Sequence, residues 1–199
     1  MNRLVAAGAL AAFLLALLAI VLTSASGDGS SSSPLTTAAT TVTLPTQPAT
    51  TTPTPPRQVA VKLSGTGAYD PDGDQHENDD LAPLAVDGDP ATFWKTEHYT
   101  KGFVKKGVGL VLDAGRNLRL SRVVVETDEP GSSAQILLGN NPAGPFHPVS
   151  ADRPLTATTR YTLGKGAAGR YLVIWITALP RAVGEAHVNE VRALATLAG

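Results

Sequence analysis

Between Thr23 and Arg57 about half of the chain is serine and threonine, with Pro34, Pro45, Pro48, Pro53, Pro55 and Pro56 spread along it and Asp28 as its only charge before Arg57. Such a stretch has too little apolar surface to offset the entropy lost on ordering. Its prolines favour extended polyproline II, so residues 23–57 are expected to form a disordered, semi-stiff linker. At about 3.1 Å per residue it could reach on the order of 100 Å. This divides the 199 residues into three parts that must be read separately.

The part before the linker is apolar from Leu4 to Leu22, with no charge and no proline. A run of that length can span a bilayer as a helix. Arg3 precedes it and no basic residue follows until Arg57. The positive-inside bias then places the N-terminus in the cytoplasm and the rest outside. Residues 1–22 are therefore read as a transmembrane anchor. A signal peptide cleaved near Thr23-Ser24-Ala25 is the alternative, and it would make the rest a secreted protein. Both readings export the remainder of the chain.

The part after the linker, residues 58–199, is long enough to bury one core. The chain contains no cysteine, so neither disulfides nor thiolate metal sites support it. Short apolar runs are Val59–Leu63, Val108–Leu112, Val123–Val125, Ala134–Leu138, Tyr171–Ile176 and Val188–Leu194. Turn formers separate them at Asp113-Ala114-Gly115, Pro130-Gly131, Asn140-Asn141-Pro142 and Gly164–Gly169. That spacing predicts an all-β antiparallel sandwich. Trp94 and Trp175 sit in strand-like runs and are expected in its core. A formal net charge of −1 argues against a nucleic-acid partner. Neither a Gly-x-Ser-x-Gly elbow nor a phosphate loop occurs, and no catalytic constellation is apparent, so an enzyme is not expected.

From Asp70 to Asp89 the chain carries eight carboxylates and no Lys or Arg. Like charges at that density repel, so water or a cation must screen them. The EF-hand pattern fails, because its sixth and twelfth positions counted from Asp70 are Gln75 and Leu81. Asp70-Pro71-Asp72-Gly73-Asp74 reads as a solvated turn or a second cation loop.

The second half of this stretch is more specific. Ala85-Val86-Asp87-Gly88-Asp89-Pro90-Ala91-Thr92-Phe93-Trp94-Lys95-Thr96 has the form A-x-D-G-x-x-x-T-x-W-x-T. It resembles the N-terminal signature of discoidin-like (coagulation factor 5/8 type C) domains. Arg170–Thr177 and His187–Leu194 resemble the late and closing strands of that family. Tyr69–Asp74 and Trp175–Pro180 also resemble extracytoplasmic domains of actinobacterial MviN-like proteins and membrane-anchored Ser/Thr kinases, whose own activities do not carry over.

The resemblance implies a galactose-binding-like jelly roll. It implies a structural Ca²⁺ held by the carboxylates of Asp87 and Glu190, the backbone carbonyls of Leu84, Asp89 and Asn189, and the carbonyl and hydroxyl of Thr92. It also implies ligand contacts at the sandwich end. There Glu97–Phe103 mixes aromatic faces with polar groups, and His98, Tyr99 and Lys101 are the candidate ligand residues. The function expected is a membrane-tethered, non-catalytic module that binds cell-wall or another surface glycan. The alternative is an accessory or sensor protein that binds another envelope protein and has no carbohydrate site.

Overall fold

The computed structural model describes residues 57–197 except Arg181. The expected membrane anchor, and the linker up to Pro56, lie outside the described residues. Among the described residues no helix is long and apolar enough to cross a membrane. The chain forms strands β1 (Gln58–Val61) and β2 (Ser64–Tyr69), a 3-10 helix (Asp79–Val86), then β3 (Trp94–Lys95), β4 (Val108–Glu126), β5 (Ser133–Gly139), β6 (His147–Pro148) and β7 (Arg153–Pro154). It ends with β8 (Thr158–Thr162), β9 (Ala168–Ala178), β10 (His187–Val188) and β11 (Glu190–Thr196).

Strand β4 organises the rest. Its first half pairs with β2 on one side and β9 on the other, from Val108 opposite Ile176 to Asp113 opposite Tyr171. Strand β9 in turn pairs with β5, which carries the short β6 and β7. The second half of β4 pairs with β11 and β8, and β1 lies outside β11. All these pairings are antiparallel. One strand thus belongs to both sheets.

The sequence predicts two strands separated by a turn at Asp113-Ala114-Gly115. The turn chemistry is present, since Gly115 N–H donates to Asp113 Oδ1 at 2.7 Å and Gly115 has φ 76°. It produces a bulge, however, and the strand continues. Pairing with β9 resumes at Leu118 opposite Gly169. Bulges bend a strand and raise its twist without ending it, which lets β4 pass from one sheet to the other.

Period-two alternation fills the space between the sheets. Leu110 and Leu112, Ile174 and Ile176, Val123 and Val125, and Val191 and Ala193 belong to one buried cluster. Trp94 lies at its edge without solvent exposure, and its Nε1–H donates to the Glu77 carbonyl at 2.8 Å. The buried Tyr161 hydroxyl donates to the Ala134 carbonyl at 2.8 Å, and burial pushes its phenol up to about 12.

Trp175 behaves differently from Trp94. It is buried, but it falls between Ile174 and Ile176 and so points to the opposite face. There it joins Val111, Leu137, Tyr171 and Val173 in a second apolar cluster, with Tyr69 and Phe146 packed over it. The Tyr69 ring centroid lies 5.5 Å from that of Trp175 and 4.9 Å from that of Phe146. The indole lies against Gly107, where an added Cβ would come within 2.3 Å of Trp175 Cε2. We expect Gly107→Ala to lower stability by about 1–3 kcal/mol through overpacking. Urea unfolding followed by Trp fluorescence should show a lower midpoint with an unchanged slope.

Candidate functional site

The 3-10 helix ends at Val86, and Gly88 turns the chain with φ 86°. That left-handed conformation suits glycine. The turn brings several oxygens onto the Thr92 hydroxyl. Thr92 Oγ1 lies 3.3 Å from the Leu84 carbonyl, 2.9 Å from Asp87 Oδ2 and 3.0 Å from the Asp89 carbonyl. A hydroxyl has one proton, so it cannot satisfy three acceptors at once. Glu190 reaches the same turn from the start of β11, where its Oε1 accepts from Gly88 N–H at 3.3 Å.

Burial pushes the Glu190 carboxyl above its ordinary value, and the negative charge of Asp87 pushes it further, against the opposing pull of Gly88 N–H and Arg192. The Glu190 carboxyl is thus held toward its neutral form at this turn. Two carboxylates, a hydroxyl and carbonyls form a hard-oxygen set that fits Ca²⁺. Among the described residues no three His, Cys, Asp or Glu side chains group as a metal cluster. The remaining oxygens at this turn are backbone carbonyls, those of Leu84 and Asp89 beside the Thr92 hydroxyl. Asn189 follows a different pattern from its neighbours. Its side chain donates to the Pro90 carbonyl at 2.9 Å and accepts from Asp128 N–H at 3.0 Å, tying the turn to β11.

Two of the carboxylates of the acidic stretch are balanced by a lysine from outside it. Asp70 and Glu77 are buried. Lys105 Nζ lies 2.8 Å from Asp70 Oδ2 and 3.3 Å from Glu77 Oε1. Tyr99 Oη donates to Glu77 Oε1, and Glu97 N–H donates to Glu77 Oε2 at 2.6 Å. Burial alone would lower the Lys105 ammonium, but its hydrogen bonds to Asp70, Tyr99 and Glu77 reverse this and raise it. Burial and the Glu77 hydrogen bond raise the Tyr99 phenol. At the loop surface Asp72 Oδ2 accepts from Lys106 N–H at 3.2 Å, and Asp74 Oδ1 accepts from His76 N–H at 3.1 Å.

This network orders the 97–103 lip. The Tyr99 hydroxyl faces inward, and its ring packs edge-on to Phe103 with centroids 4.9 Å apart. Tyr99 N–H donates to the Gly184 carbonyl at 2.8 Å. A cleft of about 380 Å³ lies between this lip and the segment after β9, lined by Tyr99, Phe103, Thr177, Leu179, Pro180 and Gly184 among others. Of the three candidate ligand residues, Tyr99 lines the cleft with its hydroxyl already committed, whereas His98 and Lys101 are exposed beside it. His98 Nδ1 lies 3.9 Å from Glu185.

Phe103 belongs to the lip that the sequence picks out, but sequence reasoning missed Leu179 and Pro180 as the facing wall. It also missed the group around Glu185. Lys95 Nζ lies 3.2 Å from that carboxylate and His187 Nε2 3.3 Å, and His187 stacks on Phe93 at 4.1 Å. Burial opposes ionisation of Glu185, but hydrogen bonds from Lys95 and His187 prevail and hold its carboxyl below the ordinary range.

No family model matches the sequence. The fold, however, has relatives among solved structures. It is similar to a truncated AlyQ with CBM32 and alginate lyase domains, at 16% identity and TM-score 0.52, over 72% of this chain and 35% of that one. It is also similar to CBM32-3, a carbohydrate-binding module from a family 31 glycoside hydrolase of Clostridium perfringens, at 14% identity and TM-score 0.50, over 69% of this chain and 95% of that one. A family 89 glycoside hydrolase from Clostridium perfringens matches over 68% of this chain at 16% identity and TM-score 0.47, and this chain spans 14% of its length. The fold is thus the β-sandwich of these CBM32 structures.

Lys105 is the single cation between two buried carboxylates, and removing one partner of a buried ion pair costs about 3–5 kcal/mol. Lys105→Met should therefore destabilise the domain by that amount in chemical denaturation. Asp70→Asn combined with Lys105→Met should recover part of the loss.

Proposed function

We propose that this chain is a non-catalytic carbohydrate-binding module, held outside the cell membrane by its N-terminal segment, that takes a cell-wall or other surface glycan in the cleft between Tyr99 and Pro180. The observation that carries this reading is a jelly roll matching nearly the whole of a carbohydrate-binding module, with an aromatic-walled cleft at the sandwich end. Phe103 and Tyr99 present ring edges and faces to the cleft, and apolar sugar faces pack on such rings. Thr177 and the backbone around Gly184 supply polar groups for sugar hydroxyls. His98 and Lys101, exposed at the rim, would meet the ligand from outside. The envelope setting rests on the uncharged apolar run from Leu4 to Leu22 and the position of Arg3 before it.

The module includes a structural Ca²⁺ in this reading. Asp87 and Glu190 would hold it by their carboxylates, Thr92 by its hydroxyl and carbonyl, and Leu84, Asp89 and Asn189 by their carbonyls. When bound, the ion supplies positive charge at the meeting point of the first loop and the last strand. The residues themselves already bring the two ends together through Gly88 and Glu190.

Two measurements test this. Melting of the wild type should rise by several degrees in excess Ca²⁺, because a ligand at a hundred times its Kd adds about 2.7 kcal/mol. Asp87→Ala with Glu190→Ala should abolish the rise, and a wild-type curve that chelator leaves unmoved would remove the ion. For the ligand, retention on isolated cell wall and on a glycan array should fall at least tenfold in His98→Ala with Lys101→Ala, whose exposed side chains leave the melting curve unchanged. No glycan signal alongside a stably co-purifying envelope protein would favour the accessory-protein reading.

A further inference from the structure

The outer face of the second sheet carries a feature that folding does not explain. In register, Arg192 of β11, Val124 of β4 and Arg160 of β8 form one cross-strand row. Leu194, Arg122 and Thr162 form the next row on the same face. The alternate residues Val123, Val125, Tyr161, Val191 and Ala193 are buried in the core, so the three arginines all point outward. Adjacent strands lie about 4.8 Å apart, which puts Arg192 and Arg160 about 10 Å apart across β4. Lys62 joins them along the groove.

Like charges on neighbouring sheet positions destabilise, and this cluster is poorly compensated. Arg192 pairs with Glu126. Among the described residues Arg122, Arg160 and Lys62 form no ion pair. Arg170 shows the contrast, since it grips Asp113 with two bonds of 2.9 and 2.8 Å. The arginines rim a groove of about 510 Å³ whose lining includes Ala60, Val124 and Leu194, and which reaches Asp87 and Glu190 at one end.

We infer that this groove binds a strand of anionic polysaccharide. Guanidinium forks match carboxylate and phosphate oxygens. The apolar residues between them make no competing hydrogen bonds and suit the apolar faces of sugar rings. Cations spread over three strands meet a repeating polyanion better than a single small anion. A lipid surface fits less well, because the exposed large apolar residues Val104 and Leu197 lie outside the groove lining. Nucleic acid fits less well, because the chain's net charge is −1. The groove is separate from the cleft between Tyr99 and Pro180, and the inference stands whether or not that cleft takes a glycan.

The test uses the full-length protein in neutral detergent, titrated with polygalacturonate, with dextran as neutral control and short-chain phosphatidylglycerol as lipid control. Wild type should bind polygalacturonate, with affinity falling as salt rises, and bind dextran at least tenfold more weakly. Arg122→Ala with Arg160→Ala should weaken polygalacturonate binding at least tenfold and flatten its salt dependence. Its melting curve should be unchanged, because both side chains are exposed. Phe103→Ala should leave polygalacturonate binding intact, which separates this groove from the cleft. Wild-type binding retained in the double variant, or no wild-type binding, overturns the inference. So does phosphatidylglycerol binding that is as tight and equally lost in the double variant.

Discussion

Two carboxylates, Asp70 and Glu77, are shut away from water with one ammonium between them. Charges in such a place are tolerated only when their partners are held in position. Glu77 is satisfied from three directions, by Lys105, the Tyr99 hydroxyl and the Glu97 N–H. Those partners come from the segment that follows Trp94, whose own indole donates to the Glu77 carbonyl. The acidic loop and the lip of the cleft are consequently a single ordered unit. The close approach is demanding, since a Cβ at Gly73 would fall 1.9 Å from Asp70 Oδ2. The shape of the cleft follows from how this charge is balanced.

The second constraint is closure. Gly88 and Glu190 are 102 residues apart and share a hydrogen bond. Asn189 adds a bond to Pro90, and β3 pairs with β10 across the same gap. Without disulfides, these contacts join the early loop to the final strand. An oxygen-rich meeting point of this kind holds the two ends in register even before any cation is considered.

Much of this was legible in the chain, and the exceptions have physical causes. The alternating apolar runs gave the sandwich, because inward and outward positions differ sharply at Val123–Val125 and Val191–Ala193. The A-x-D-G-x-x-x-T motif named Asp87 and Thr92, and the closing strand named Glu190, and the structure places all three around one turn. Lys105 could not be found from local pattern, since its partners lie 28 and 35 positions earlier. The continuity of β4 was hidden because Asp113 and Gly115 carry genuine turn chemistry, and only pairing with β9 decides that the strand goes on. Trp175 was read as core from its apolar neighbours. Its parity, one step from Ile174 and Ile176, sends it to the other face. The arginine cluster was invisible because Arg122, Arg160 and Arg192 are far apart in sequence and become neighbours only through strand register.

The second apolar cluster has a consequence for how the molecule meets its surroundings. Tyr69 and Phe146 close over Trp175, so the β2–β4–β9–β5 layer is sheltered on both sides. The other layer keeps a bare outer flank. The sandwich is therefore lopsided: aromatic rings cover the middle of one broad wall, whereas strand register leaves guanidinium groups facing outward from the other.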